Sequence, residues 1–281
     1  MKRTDRIKLS FTRNWKLPGK ERLSHWFKPS AALKSTIKNG IAWLNDEDIA
    51  IYANADNYIE WTILTTGTYE DEINKLIRVS LKNGKNALDI GGNIGLQSVR
   101  MSQCAGENGK IYAFEPLAHL QEKFNRNMLL NRACNVTLFP FALADEESEA
   151  DFTIDKKSWN QGAFSLNSKS AGGEKQRVII KIADNISEIQ HLSSLDLVKI
   201  DVEGFEYHVL RGLKQTLRKH RPRIIFEYDS NYWMNTGQNI AGCYGFLQSL
   251  GYTIYQVTPV GCEILINSGN IASGNLFCIP V

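Results

Sequence analysis

Ala87-Leu88-Asp89-Ile90-Gly91-Gly92-Asn93-Ile94-Gly95 decides the fold. A short apolar run ends in closely spaced glycines and then opens into a stretch with helical spacing, which predicts a strand at 86–90 and a helix reaching about residue 104. Working outward, the alternation continues. Strands are expected at 110–114, 136–141, 195–200 and 223–226, and helices at 117–131, 205–219 and 241–250. Runs at 252–257 and 276–279 close the chain. Strands and helices alternating at this spacing imply an α/β fold, a parallel sheet with helices on both faces. Upstream, the loose alternation across 41–66 predicts short strands forming a hairpin, followed by a helix at 69–81.

The remaining sequence sets limits. With 281 residues, 43% hydrophobic and 22% charged, the chain has the composition of a globular protein. It holds no apolar run long enough to span a bilayer and no secretory h-region at its start. Five cysteines, never spaced C-x-x-C, point to free thiols in a reducing compartment, with the cytoplasm as the default. The net charge of +3 hides an asymmetry: residues 1–30 carry nine Lys/Arg against two acids, so the rest is mildly acidic. Trp15, Trp26 and Phe27 are interleaved with these cations. That leader suits an anionic membrane surface, which would place the protein peripherally at the inner membrane face, or a polysaccharide. A solvated arm packing on the body is the plainer reading and the one preferred.

One segment interrupts the alternation. About fifty residues separate the third and fourth core strands, with strand-like 150–154 and 177–182 bracketing a polar, glycine- and serine-rich stretch. The expectation is a long-looped hairpin, either a flap over a pocket or a surface excursion.

The chemistry concentrates at strand ends. Counting from Gly91, Asn93 and Leu96 break the G-x-G-x-x-G pattern of dinucleotide sites. An acid followed by glycine at +2 and +6 suits instead a methyl donor without a pyrophosphate, because Asp89 can accept from an ammonium where it would repel a diphosphate. Glu115, in Phe114-Glu115-Pro116, sits 24 residues beyond Gly91 at the end of the second strand, where a carboxylate can accept both ribose hydroxyls. Pro116 stops that strand. Val198-Lys199-Ile200-Asp201-Val202-Glu203-Gly204-Phe205-Glu206 ends the fourth strand. Ligands in open α/β sheets lie at this rim, so Asp201 and Glu203 are placed to act on a substrate or to hold a divalent ion, and Glu227 ends the fifth strand beside them. Clustered carboxylates raise one another's pKa and can form a general base. Glu206 reads as a helix N-terminal acid. His119, His208 and His220 read as surface or packing residues, because none has a second His or Cys at ligand spacing.

In its joint order, the run from Ala87 to Tyr228 resembles the FkbM-type methyltransferases, a branch of the class I S-adenosylmethionine-dependent enzymes. The pieces are Leu88 to Gly95, Phe114-Glu115-Pro116, Lys199 to Gly204 and Ile225-Phe226-Glu227. Gly67-Thr68-Tyr69-Glu70 is similar to the family's G-x-Y-E entry, and Asn160 to Ser165 to a loosened N-x-G-x-S stretch. The resemblance implies a Rossmann-like class I methyltransferase fold, with a mostly parallel seven-stranded sheet, its last strand antiparallel, and an N-terminal extension. It implies S-adenosyl-L-methionine as cofactor. Asp89, Gly91, Gly92, Asn93 and Gly95 would surround the methionine, Glu115 and Pro116 the ribose, and Phe141, Ala142 and Leu143 the adenine. Tyr69 and Glu70 would close over the donor, and Asn160 and Ser165 would face the substrate. Asp201 or Glu203, with Glu227 behind them, is the expected catalytic base. A divalent metal is allowed but not implied.

The expected organisation is a basic extension at 1–40, a hairpin and helix at 41–84 packing on the core, and a donor-binding domain at 85–281 with the flap at about 145–185. The expected activity is O-methylation of a hydroxyl on a sugar, glycolipid or related small molecule. The alternatives are an RNA methyltransferase anchored by the leader, or a donor-binding module without catalysis. The first loses ground because Asp201-Val202-Glu203-Gly204 stands where base N-methylation wants D/N-P-P-Y.

Overall fold

The computed structural model describes residues 29–45, 47–154, 174–258, 261–265, 269 and 271–281. Asn160, Ser165 and the basic segment up to residue 28 lie outside them.

Strands β1 (Gly40–Trp43) and β2 (Ala50–Ala53) form an antiparallel hairpin. The core strands are β3 (Ala87–Ile90), β4 (Ile111–Phe114) and β5 (Val136–Phe139). Three further strands build a separate small sheet: β6 (Ala142–Ala144), β7 (Ser148–Ile154) and β8 (Glu174–Ile182). The core resumes with β9 (Leu197–Ile200), β10 (Arg223–Tyr228), β11 (Tyr252–Thr258), β12 (Gly261–Ile264) and β13 (Gly274–Pro280).

The main sheet runs β12-β11-β13-β10-β9-β3-β4-β5. From β5 to β10 every pair is parallel, and β13 is antiparallel to both its neighbours. This is the Rossmann-like order with its reversed last strand. It has eight strands rather than the seven expected, because β12 adds an antiparallel edge to β11. Successive residues face opposite sides. Leu88, Val198 and Ile224 pack under Leu210, Leu213, Leu217 and Leu247, whereas Ala87, Leu197 and Ile225 pack under Ile73, Ile77, Met101 and Ala105. Both faces are therefore covered, which is why β3 and β9 are apolar and buried at nearly every position. Among the described residues no helix is long and apolar enough to cross a membrane.

Three expectations are corrected. Tyr58, Ile59, Trp61 and Ile63 belong to a helix, Tyr58–Thr66, and not to a strand. Local capping outweighs the β-like composition: Asn57 accepts from the Glu60 N–H, Thr62, Thr65 and Thr66 bond back to helical carbonyls, and Gly67 terminates the helix in the left-handed region. The third core strand stops at Phe139, and Ala142–Ala144 leaves it to pair with β8. The helix expected over 205–219 is two, Glu206–Gly212 and Lys214–His220.

Buried polar side chains dock the N-terminal hairpin on the core. Asn127 is fully buried, accepts from the Tyr52 N–H at 2.8 Å and donates to the Ile94 carbonyl at 2.8 Å. Arg100, 1% exposed, grips Glu47 through two bonds of 2.9 and 2.7 Å and donates to the Tyr69 carbonyl at 2.8 Å. Asn127→Leu should leave two buried backbone groups unpaired and lower stability by about 2 kcal/mol or more. Urea denaturation checks this, and an unchanged midpoint would show that the docking bonds contribute nothing.

Candidate active site

The site is built around the turn after β3. Gly91 has φ 85, and a Cβ there would lie 1.9 Å from the Asp201 carbonyl oxygen. Only glycine lets the turn pass this close to the end of β9. Asn93, also left-handed at φ 49, points its N–H at Glu115 Oε2 (2.9 Å), while Glu115 Oε1 accepts from the Leu117 N–H (2.9 Å). One carboxylate thus ties the glycine turn to the end of β4. Glu115 is 4% exposed, and burial pushes it up to about 7 against those two bonds.

Three contiguous spaces meet at Gly91 and Asp201. The first is an apolar slot of about 750 Å³, open solvent included, walled by Pro116, Leu120, Ala142 and Leu143 together with Phe152 and Ile180 from the flap strands. The second is a recess of about 350 Å³ on the same measure, beneath Tyr69 and Glu70, with Gly92, Asn93 and Gln97 on one side and Lys199 on the other. The third is a polar cleft of about 960 Å³, again including its open mouth. Glu70, Glu115, Asp201, Glu203, Glu227 and Asp229 line it, with Tyr58, Tyr69 and Tyr232. Glu115 borders both slot and cleft.

The rim carboxylates share a field. Burial, then the Asp201 and Glu203 charges and a hydrogen bond with Asp201, raise Glu227 to about 9. Burial, then Asp201 and Glu206, raise Glu203 to about 8, opposed by its hydrogen bond with Tyr232. Lys199 Nζ holds Asp201 Oδ2 at 3.1 Å. Glu206 is occupied elsewhere. It accepts from the Val202 and Gly204 N–H groups and from Trp233 Nε1 (2.7 Å), so it braces the loop between β9 and the next helix. Burial raises it to about 7.

The structure brings most of the expected site residues to these walls. Two lie elsewhere. Asp89 is fully buried beneath the turn, bonded by Ser98 Oγ at 2.5 Å and facing Lys199 across the β3–β9 pairing. Its Oδ1 has no hydrogen-bond partner. Gly95 packs on Phe124 and Met128 and starts the helix. Phe141 packs at a tilt against the rings of Phe114 and Phe139. Among the described residues no group of three His, Cys, Asp or Glu is arranged to hold a metal ion.

Several lining residues escaped the sequence reading. Lys199 sat unassigned within its motif, although a lysine inside a buried parallel strand is itself a signal. Tyr232 and Asp229 belong to a short helix, Ser230–Asn235, which Asp229 caps by accepting from the Asn231 and Tyr232 N–H groups. That Asp-Ser-Asn start was a legible cap. Tyr58 was misplaced with its strand.

Glu115, Glu203, Glu206 and Glu227 all ionise less readily in the fold than an ordinary glutamate carboxyl. A carboxyl with a raised folded pKa contributes stability that is fully present below its unfolded value and is lost as pH rises through the folded one. The melting temperature of the ligand-free protein should therefore fall from about pH 5 to pH 9. A thermal-melt series checks the sign, and a rising curve would contradict this electrostatic picture.

One family model matches more than half of the chain. The model of the methyltransferase FkbM domain matches residues 89–254. Methyltransferase 1 of Beauveria bassiana is 26% identical over 184 residues, which is 59% of this chain and 73% of that protein. The 2-O-methyltransferase NoeI of Sinorhizobium fredii is 30% identical over 166 residues, 54% of this chain and 65% of that one. A solved structure of methyltransferase FkbM from Methylobacillus flagellatus aligns at 12% identity over 79% of this chain and 53% of that chain, with a TM-score of 0.44. The family match takes in the glycine turn, Glu115, the rim of β9 and Glu227, and it makes this chain a member of the FkbM family of S-adenosylmethionine-dependent methyltransferases.

Proposed function

We propose that the enzyme transfers the methyl group to a hydroxyl oxygen of a sugar, glycolipid or related small molecule. The observation that carries this reading is the convergence of Asp201, Glu203 and Glu227 on an open polar cleft that shares Glu115 with an apolar slot.

The lining fits the donor in three parts. The slot between Leu143, Pro116 and Phe152 matches a flat, apolar-faced purine, and Glu115 at its mouth retains lone pairs for ribose hydroxyls. Gly91, Asn93, Tyr69 and Glu70 surround the space left for the amino-acid end. The many carboxylates favour a cationic sulfonium. S-adenosylmethionine, when bound, supplies an electrophilic methyl group whose positive charge disappears during transfer, so no oxyanion hole is required.

The chain's own task is to orient the acceptor and remove its proton. Holding the reactants in line can contribute roughly 7–11 kcal/mol. Asp201 is kept beside Lys199 on one side and hydrogen-bonded to Glu227, whose carboxyl is raised to about 9, on the other. That pair is the base in this reading, and Glu203, held by Tyr232, hydrogen-bonds a neighbouring hydroxyl. The acceptor in this reading is a polyol and not a phosphodiester, because the described residues lining the cleft include six acidic side chains and no Lys or Arg to hold a phosphate. This weighs against RNA. The printed name of NoeI, a 2-O-methyltransferase, supports oxygen as the nucleophile. A surface-bound saccharide or glycolipid acceptor also suits the cationic leader at residues 1–30.

Transfer of labelled methyl groups to a panel of neutral saccharides, glycolipids and short RNAs tests the proposal. Label in an alkali-stable methyl ether of a saccharide or glycolipid is expected. Label in RNA alone would overturn it.

A further inference from the structure

Among the described residues, Lys199 is the one Lys or Arg lining the slot, recess and cleft. It rises from the middle of β9, opposite Asp89 on β3, and its side chain is 7% exposed. Burying an ammonium is costly unless charge surrounds it. Here burial lowers the Lys199 pKa, but Asp201, Asp89 and Glu70 outweigh that and hold it protonated. Of its three N–H donors one is committed, to Asp201 Oδ2. The side chain borders the recess beneath Tyr69 and Glu70, next to Gly91 and Asn93.

S-adenosylmethionine carries two cationic groups and one anion, its carboxylate. The apolar slot and Glu115 fix which end is the nucleoside, so the amino-acid end falls on the far side of Gly91, in the recess. Glu70 and Asp201 there suit the ammonium. They would repel the carboxylate unless a cation stood between them. We infer that Lys199 binds the carboxylate of the methyl donor and thereby makes the enzyme select donors that possess one. This rests on the donor reading above and is independent of the acceptor.

The inference has an unusual sign. Decarboxylated S-adenosylmethionine carries one more net positive charge, so an acidic site without a carboxylate anchor should hold it at least as well as the parent compound. With Lys199 as the anchor the order reverses. A charge-assisted pair of this kind corresponds to roughly 10- to 100-fold in affinity.

Isothermal calorimetry of the full chain with both compounds decides the matter. The wild type should bind S-adenosylmethionine roughly 10- to 100-fold more tightly than its decarboxylated analogue. Lys199→Met should weaken the parent compound to the level of the analogue while leaving the analogue unchanged or improved, and Lys199→Arg should recover part of the preference. Equal affinity of wild type for the two compounds overturns the inference, and so does a Lys199→Met variant that weakens both alike, since the lysine would then serve only its acidic neighbours. The wild-type comparison needs no substitution and decides the question even if Lys199→Met fails to fold. Binding of neither compound would instead overturn the donor reading itself.

Discussion

Glu115→Ala is expected to weaken S-adenosylmethionine binding by about 100-fold or more and to lower the melting temperature even without ligand. Both effects have one source. The two Glu115 oxygens accept from the Asn93 and Leu117 N–H groups at 2.9 Å each, in a site only 4% exposed. Truncation orphans two backbone donors, at roughly 1–3 kcal/mol each, and releases the left-handed Asn93 that shapes the glycine turn. It also removes the acceptor proposed for the ribose hydroxyls. Glu115→Gln keeps the shape and one acceptor oxygen, so it should fall between wild type and alanine on both readouts. Because Glu115 is raised to about 7, and the cationic donor favours its ionised form, affinity in the wild type should decline as pH falls below 7. Calorimetry with differential scanning fluorimetry measures all three. A stable Glu115→Ala protein with undiminished affinity would remove Glu115 from the donor site.

Glu227→Gln should separate binding from transfer. Glu227 lies at the outer rim of the cleft, hydrogen-bonded to Asp201, and the amide preserves its volume. Donor affinity should change by no more than a few-fold. Methyl transfer should fall by about 10²–10⁴, the usual contribution of a positioned base. In the wild type, kcat/KM should rise with pH as Glu227, raised to about 9, loses its proton. The substitution should flatten that limb, because an amide cannot give up the proton. Full transfer activity in Glu227→Gln, with the limb intact, would exclude the pair and turn attention to Glu203.

Much of this was readable from spacing because parallel strands write their identity in short apolar runs, and turns at their ends demand particular residues. Gly91 is the clearest case, since a backbone approach that tolerates no Cβ leaves only one choice. Glu115 and Asp201 were found because the ends of neighbouring parallel strands fall on one rim. What escaped depends on tertiary context. Tyr58–Thr66 has the composition of a strand and is held helical by its caps and by threonine back-bonding. The slot's far wall, Phe152 and Ile180, comes from an insertion whose register against β6 no local pattern encodes. Asp89 was expected at the donor, but it lies one layer below, and its position across from Lys199 follows from the β3–β9 register alone.

The most direct test is a crystal structure of the protein with S-adenosylhomocysteine. The ribose hydroxyls are expected on Glu115, the adenine between Leu143 and Phe152, and the amino-acid end beside Gly91 and Lys199, with Glu203 and Glu227 facing open cleft. A nucleoside bound away from Glu115, or a folded protein that leaves the slot empty at saturating ligand, would contradict this placement.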